Sequence, residues 1–462
     1  GVRGSREWTQ DFWKAVRGTA KRRMQDLSPD LEEAQLRLAH FHESLWLEEL
    51  GVALALDGLR LTVDTLGSTG NGLFALDVAD AADESLGPMH ENGLLRGVRV
   101  LIRCGERIDH WGALQPSAGA GVLLVSAPPA LAKAQGPFSV EFHPHRFQQL
   151  ALHRALAAPR TAGFLRTGAA PEAEAWQASA GAGDAESVQL PQSLNGDQRR
   201  AIVAALRPGG SHPIVVWGPP GTGKSTLAAF IVWHLVQQQP TDLHVLVAAP
   251  SNTAADVLCA KLARLGLDQA AMLRLNALGR SVGTVPEAIR GFCSYTDEED
   301  GPLGFAIPPP PQVRRFKVVV TTCVCASHLS NALRAKGSQN GWFSHVVVDE
   351  AGEATEPETM VPLALLRPVA GRVVLLGDHF QLGPLVVTPL AKRLGRLDIS
   401  MMERLVNERF DAARAKESQG GASRDALLEC EDQGLFFLTE SYRSHPEIMS
   451  LYSSIFYAGK LE

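Results

Sequence analysis

The chain has 462 residues, of which 45% are hydrophobic and 20% charged, and its formal net charge is −6. This length exceeds what one core usually supports, so we expect an ordinary globular protein of two to four domains. No stretch reaches the roughly 20 apolar residues that cross a bilayer, which indicates a soluble protein without membrane contact. Because the net charge is negative, any site that binds nucleic acid must be a local groove. Six cysteines without paired metal spacing indicate reduced, intracellular thiols.

The first 145 residues predict a helical segment followed by a small β-domain. Residues 1–50 have helical spacing, with Ser28 as N-cap and Pro29 at the first helical position. Over residues 51–145, short runs carry apolar residues at every second position, and Gly- and Pro-rich turns separate these runs. This pattern predicts a small β-barrel as an accessory domain. The five runs are residues 59–66, 72–78, 97–103, 121–128 and 138–144.

Residues 146–193 predict a returning helix and a flexible linker. Periodic apolar residues continue to position 158, and Ala, Gly and Glu then dominate residues 160–190 without periodicity.

Five apolar runs rich in Val, Ile and Leu lie beyond this linker. Continuous hydrophobicity is typical of strands covered on both faces of a parallel sheet, whose ligands bind at the carboxyl ends of the strands. Each run ends at a candidate motif, so residues 194–392 predict an α/β domain and residues 393–434 a connecting segment. The runs are residues 214–217, 244–249, 316–320, 345–348 and 372–376.

A glycine-rich loop follows the first of these runs. Its backbone N–H groups can surround a β-phosphate, and the next helix directs the positive end of its dipole at the same group. Lys224 would add a cation between the β- and γ-phosphates, and the Ser225 hydroxyl would ligate Mg²⁺. The loop predicts a P-loop NTPase with these nucleotide-binding residues: Gly218, Pro219, Pro220, Gly221, Thr222, Gly223, Lys224, Ser225 and Thr226.

Two further runs end in acidic or amide side chains. Asp349 is predicted to hold the metal ion through water, and Glu350 to polarise the attacking water. Gln381 carries a neutral amide that can bond the γ-phosphate or that water. Each could instead be a solvated surface residue, but the P-loop upstream favours catalytic roles.

These motifs occur in a fixed order with Ser441-Tyr442-Arg443-Ser444-His445-Pro446. Together they resemble superfamily 1 helicases of the nonsense-mediated-decay branch, and within it the Armitage-type RNA-silencing helicases. The likeness is clearest over residues 194–462. The narrower assignment rests on the motifs Asp349-Glu350-Ala351-Gly352 and Gln381-Leu382-Gly383-Pro384.

The resemblance implies a RecA-like motor domain that uses ATP and Mg²⁺. Gln198 would read the adenine edge; the alternative is an ordinary residue of a first helical turn. Tyr442 would stack near the base and Arg443 would contact the γ-phosphate, both supplied across a cleft by a second motor domain. The accessory barrel would contact nucleic acid, or else be purely structural.

Candidate nucleic-acid contacts follow two strands. Short hydroxyl and amide side chains with exposed backbone N–H groups suit sequence-independent phosphate contacts, and the family places the nucleic acid there. The alternative is helix capping, by Asn252 or Thr253. The predicted contact residues are Pro250, Ser251, Asn252, Thr321 and Thr322.

The sequence therefore predicts an ATP-dependent RNA helicase, monomeric and cytoplasmic, that translocates 5′ to 3′ on single-stranded or partly duplex RNA and remodels duplexes or ribonucleoproteins in silencing or decay. The alternatives are a DNA helicase, a non-helicase P-loop ATPase and a catalytically incompetent binding fragment.

The position of the last motif predicts an incomplete motor. In the resembled family it opens the second motor domain, so we expect residues 435–462 to begin a truncated RecA-like domain. A chain of this extent should bind ATP weakly, be nearly inactive as a hydrolase and fail to unwind a duplex.

Overall fold

A computed structural model shows two β-sheets joined by helices. It describes residues 29–56, 59–70, 73–77, 98–104, 108–115, 122–134, 136–143, 146–158, 161–165, 190–207, 213–238, 243–296, 304–333, 341–367, 371–418, 430–431 and 433–462.

The first sheet is antiparallel, with the strand order β1-β7-β4-β5-β6-β3-β2. Its edge strands β1 and β2 are separated only by residues 64–66, so the sheet must curl to bring its edges together. One apolar cluster that includes Leu61, Phe74, Val100 and Val140 forms its core. The strands are β1 (Arg60–Val63), β2 (Gly67–Gly70), β3 (Leu73–Asp77), β4 (Arg99–Cys104), β5 (Ile108–Gln115), β6 (Val122–Ser126) and β7 (Phe138–His143).

The second sheet is parallel, with the order β10-β11-β9-β12-β13-β8-β14. The five predicted runs form β8, β9, β11, β12 and β13, all buried on both faces as continuous hydrophobicity requires. The predicted α/β class with a parallel RecA-like sheet is confirmed. The strands are β8 (Ile214–Trp217), β9 (Val245–Ala249), β10 (Met272–Arg274), β11 (Val318–Thr322), β12 (His345–Val348), β13 (Arg372–Gly377) and β14 (Leu435–Phe437).

Helices cover the parallel sheet and connect it to the first. Two buried clusters occupy its two sides, one containing Leu227 and Leu258 and the other Met360 and Met402. The helices are α1 (Pro29–Leu56), α2 (Arg146–Leu156), α3 (Thr161–Phe164), α4 (Gly196–Leu206), α5 (Lys224–Gln237), α6 (Asn252–Arg264), α7 (Pro310–Val313), α8 (Ser327–Leu333), α9 (Glu356–Leu363), α10 (Pro389–Arg393), α11 (Met401–Ser418) and α12 (Pro446–Phe456), with 3₁₀ turns at Pro129–Lys133, Val282–Thr284 and Glu287–Phe292. None of the helices in the described ranges combines the length and apolar content of a membrane span.

A buried carboxylate attaches α1 to the parallel-sheet domain. The Glu48 oxygens accept hydrogen bonds from the Val387 and Thr388 backbone N–H groups, at 2.6 and 2.9 Å, and from Thr388 Oγ1 at 2.6 Å. Three donors compensate the cost of burying this charge, so the helix that leads into the curled sheet is fixed to the parallel-sheet domain.

The boundary that we placed at residue 435 needs correction. Strand β14 pairs in parallel with β8, with Leu435 opposite Val215, and thus forms the edge of the parallel sheet. The chain after it also packs there, since Met449, Tyr457 and Leu461 belong to the same core as Met402. Apolar burial against β8 therefore places residues 435–462 on the domain that carries the P-loop.

Other predicted segments fall partly outside the described residues. These are the Ser28 N-cap with residues 1–28, and most of the linker, at 166–189. Within the expected linker, residues Thr161–Phe164 form α3. Within the expected connecting segment, α11 buries Met401, Met402 and Val406 in the core of the parallel-sheet domain.

Candidate active site

The P-loop lies between β8 and α5, as the strand-loop-helix prediction requires. Gly221 and Gly223 have φ values of 84° and 83°, a left-handed conformation that favours glycine. Lys224 is 8% exposed, and its Nζ donates to the carbonyl oxygens of Gly218 at 2.7 Å and Pro219 at 3.4 Å. The loop therefore holds a buried cation within its own backbone curve.

Gln198 lies directly against this loop. Asn195 and Gln198 form a capping box at the start of α4, and Gln198 Nε2 also donates to the Thr222 carbonyl oxygen at 3.1 Å. The Thr222 hydroxyl bonds back to Pro219 at 2.9 Å. Gln198 thus supports the P-loop, in addition to its proposed contact with adenine.

Asp349 and Glu350 follow β12 at the same edge of the sheet. Burial, reinforced by the Glu350 charge, raises the pKa of Asp349 to about 6. A hydrogen bond with Ser225 and the Lys224 charge lower this pKa, but they do not cancel the rise. Asp349 is 1% exposed, and its Oδ1 has no hydrogen-bond partner among the described residues. Glu350 has a φ of 52°, an uncommon conformation that is often found at functional sites.

This carboxylate environment fits a magnesium ion. A buried, unpaired carboxylate oxygen beside a serine hydroxyl supplies the hard oxygen ligands that Mg²⁺ prefers. Ser225 and Asp349 would hold the ion, with the remaining ligands from water and phosphate. Thr226, by contrast, is exposed and its hydroxyl accepts a hydrogen bond from Lys261 at 2.7 Å, which directs it toward α6.

The predicted sensor Gln381 follows β13, which lies between β8 and β12. This order places the Gln381 loop between the P-loop and the carboxylates, and Gly377 accepts a hydrogen bond from Gly218 N at 3.0 Å. Gln381 is exposed, and its Nε2 donates to Asp378 Oδ2 at 2.8 Å. The buried Asp378 was not singled out from the sequence.

Ser441, Tyr442 and Arg443 lie against the P-loop within one structural unit, and not across a cleft as we predicted. Tyr442 N donates to the Gly221 carbonyl oxygen at 3.0 Å, and Ser441 Oγ donates to that of Pro220 at 3.0 Å. The side chains of Tyr442 and Arg443 are both exposed. The reason is the pairing of β14 with β8, which carries this segment directly to the loop that follows β8.

The predicted nucleic-acid residues lie at the ends of β9 and β11. Ser251, and neither Asn252 nor Thr253, is the N-cap of α6, because its Oγ accepts from Ala254 N at 3.1 Å. Thr321 is fully buried and its Oγ1 lacks a partner among the described residues. Pro250, Asn252 and Thr322 line one cavity of about 270 Å³ between the parallel-sheet domain, α1 and α2.

A buried charge cluster behind this edge was not found from the sequence. Asp256 accepts hydrogen bonds from Arg274 Nε at 2.9 Å and from Arg280 Nη2 at 2.6 Å, and Arg274 Nη2 donates to Asn252 Oδ1 at 3.2 Å. Two guanidinium groups face one carboxylate, so the cluster places net positive charge beneath Asn252.

Comparison with known proteins agrees with this geometry. The model of an AAA domain matches residues 193–290 and 312–389. The chain is 35% identical over 300 residues to mouse "RNA helicase Mov10l1", covering 62% of this chain and 23% of that protein. It is 34% identical over 289 residues to the Drosophila melanogaster "Probable RNA helicase armi", covering 58% and 23%. These matches support the predicted similarity to superfamily 1 helicases of the nonsense-mediated-decay type.

The matched relatives are named helicases. The chain spans about a quarter or less of the length of the curated relatives it matches. It is 32% identical over 279 residues to the human "Probable helicase with zinc finger domain", covering 59% of this chain and 13% of that protein. Among solved structures it matches an arterivirus nonstructural protein 10 helicase in complex with DNA at 15% identity and a TM-score of 0.31, over 90% of this chain and 61% of that one. A similarity this low adds nothing to the assignment.

Proposed function

We propose that the protein is an ATP-dependent RNA helicase, with this chain carrying its first motor domain. The observation that carries the proposal is the convergence of a buried P-loop lysine, a buried unpaired carboxylate and an amide at the ends of three adjacent strands, β8, β12 and β13. A site of this kind can bind a nucleoside triphosphate with Mg²⁺ and activate water against it.

Each group has a defined task in this proposal. Bound ATP·Mg²⁺ supplies the phosphoanhydride bond whose hydrolysis drives the motor. Lys224 neutralises phosphate charge, and Asp349 with Ser225 holds the ion. Glu350 accepts the proton of the attacking water. Gln198 and Tyr442 contact the base, and Arg443, exposed beside the P-loop, is available to the γ-phosphate.

RNA is the proposed partner because two of the relatives are named RNA helicases. Single-stranded RNA would contact Pro250, Ser251, Asn252 and Thr322, and the positive cluster behind Asn252 would favour its phosphates. Thr321, which we also predicted as a contact, is fully buried and would not touch the RNA. We further propose 5′ to 3′ translocation, remodelling of duplexes or ribonucleoproteins, a role in RNA silencing or decay, and a cytoplasmic, monomeric protein.

The test is ATP turnover measured alone, with single-stranded RNA and with single-stranded DNA. We expect RNA to stimulate turnover most. Stronger stimulation by DNA would indicate a DNA helicase, and turnover insensitive to both would indicate a P-loop ATPase that is not a helicase.

Glu350→Gln should slow ATP hydrolysis by about a hundredfold and leave ATP binding intact, since an amide holds water but cannot accept its proton. Turnover and binding of a fluorescent ATP analogue measure the two effects. The neighbouring Glu353→Gln is the matched control. Wild-type turnover in Glu350→Gln would remove this carboxylate from the mechanism.

Ser251→Asp should lower RNA affinity by about tenfold at low salt, because it adds a negative charge beside the phosphate path while aspartate remains a good N-cap. Ser251→Asn preserves the cap without charge and is the control. Fluorescence anisotropy against salt concentration measures both. Equal affinities for the two variants would place the RNA elsewhere.

A further inference from the structure

Asp378 is a buried carboxylate that accepts four hydrogen bonds from neutral donors. It is 2% exposed. Its Oδ1 accepts from Trp217 Nε1 at 3.0 Å and Phe380 N at 3.1 Å, and its Oδ2 from Gln381 Nε2 at 2.8 Å and Tyr457 OH at 2.7 Å. Four donors fill the acceptor sites of a carboxylate, which explains how this charge is buried without a cation.

The carboxylate fixes the orientation of the Gln381 amide. An ionised carboxylate only accepts hydrogen bonds, so the amide must turn its NH₂ group toward Asp378. The carbonyl oxygen, Oε1, is then at the outer end of the side chain, and no described residue donates to it. An outward oxygen can accept a hydrogen bond from water, whereas it would repel a phosphate oxygen.

Tyr457 connects this carboxylate to the segment that carries Arg443. It follows α12, is 6% exposed, and its ring centroid lies 6.0 Å from that of Trp217, the residue that precedes the P-loop. Burial, together with the Asp378 charge, raises the pKa of the Tyr457 hydroxyl, so the phenol keeps its proton and remains a donor.

We propose that Tyr457 and Trp217, acting through Asp378, position Gln381 so that its Oε1 orients the attacking water. Tyr457 is therefore a positioning residue for hydrolysis, and Gln381 acts as a hydrogen-bond acceptor and not as a donor to the γ-phosphate. The inference rests on the proposed ATP hydrolysis and specifies how the sensor loop works in it.

Tyr457→Phe tests the positioning role in the full chain, because it removes one hydroxyl and keeps the ring in the aromatic cluster. Loss of a hydrogen bond to a charged group should lower kcat by about tenfold, with KM for ATP and affinity for a non-hydrolysable ATP analogue changed by less than about twofold. The control is Tyr452→Phe, whose ring lies 6.3 Å from that of Tyr457 and whose buried hydroxyl has no partner among the described residues.

A swap of amide and carboxylate tests the orientation of Gln381. Gln381→Glu alone sets two carboxylates against each other, so kcat should fall by about a hundredfold. Adding Asp378→Asn should recover about tenfold of that loss. The amide introduced at position 378 can donate one N–H to residue 381 and the other to the Tyr457 oxygen, while its own oxygen still accepts from Trp217.

The outcomes separate the inference from the proposed function. The inference would be overturned if Tyr457→Phe and Tyr452→Phe had equal kcat values, or if Tyr457→Phe changed only KM. It would also be overturned if adding Asp378→Asn to Gln381→Glu lowered kcat further. In each case the proposed ATP hydrolysis would still stand. Failure of the unaltered chain to bind ATP·Mg²⁺, together with absence of turnover with and without RNA, would overturn both.

Discussion

Lys224→Ala should reduce ATP turnover by about a thousandfold, because the buried ammonium is the cation that the P-loop holds against developing phosphate charge. Alanine also removes the hydrogen bonds to the Gly218 and Pro219 carbonyl oxygens. We therefore expect weaker nucleotide binding as well as slower hydrolysis. Steady-state turnover and titration with a fluorescent ATP analogue measure the two losses.

Lys261→Ala is the matched control, since Lys261 bonds the Thr226 hydroxyl on the outer side of the same motif. Its turnover should stay within about twofold of the unaltered chain, as expected for removal of a partly exposed charge. Equal losses in both lysine variants would mean that general charge around the loop matters. Unchanged ATP affinity and turnover in Lys224→Ala would contradict the assignment of this loop as the phosphate site.

The central strands were predictable because each is a continuous apolar run that both layers of helices bury. Strands β2, β5 and β10 gave no such signal, whereas β14 (Leu435–Phe437) is apolar but has only three residues. Strand β2 (Gly67–Gly70) lacks apolar side chains, and β10 (Met272–Arg274) has only three residues. The placement of β14 could not be read from its residues, since its pairing with Val215 joins positions more than two hundred residues apart.

The candidate site was predictable where one short motif carries the chemistry, as in the P-loop and at Asp349. Relations between distant segments were not. Asp378 has no recognisable role until folding brings Trp217 and Tyr457 to its two oxygens. The same holds for Arg274, whose carboxylate partner lies 18 residues earlier in the chain. Local motifs identify reactive groups, whereas the contacts that orient them depend on the tertiary fold.

The two buried charges of the site have different relations to stability. Lys224 is satisfied by carbonyl oxygens of its own loop, whereas Asp349 keeps one oxygen without a partner. Burial of an unpaired carboxylate costs free energy that a bound cation can offset. This site should therefore limit the stability of the metal-free chain, and its own ligand should restore it.

Asp349→Asn should stabilise the metal-free chain and abolish catalysis. The folded-state pKa of Asp349 is raised to about 6, above its value in the unfolded chain, so the folded state binds the proton more tightly. This stabilisation is fully present below the unfolded pKa of about 4 and is lost as pH rises through the folded pKa of about 6, a loss of roughly 3 kcal/mol by pH 7. The uncharged amide of Asp349→Asn does not titrate, so this variant should unfold at a higher denaturant concentration than the unaltered chain at pH 7.5. The difference between the two midpoints should vanish near pH 4.

The same substitution removes a metal ligand, so Mg²⁺-dependent turnover should fall by about a thousandfold, and ATP·Mg²⁺ should raise the melting temperature of the unaltered chain only. Glu350→Gln is the comparison for stability: it removes the charge that repels ionised Asp349 but leaves Asp349 buried, so the denaturation midpoint at pH 7.5 should rise less than in Asp349→Asn. If Asp349→Asn instead lowers stability at pH 7.5, or keeps Mg²⁺-dependent turnover, then this buried carboxylate is a structural group and the magnesium ion is held by other residues.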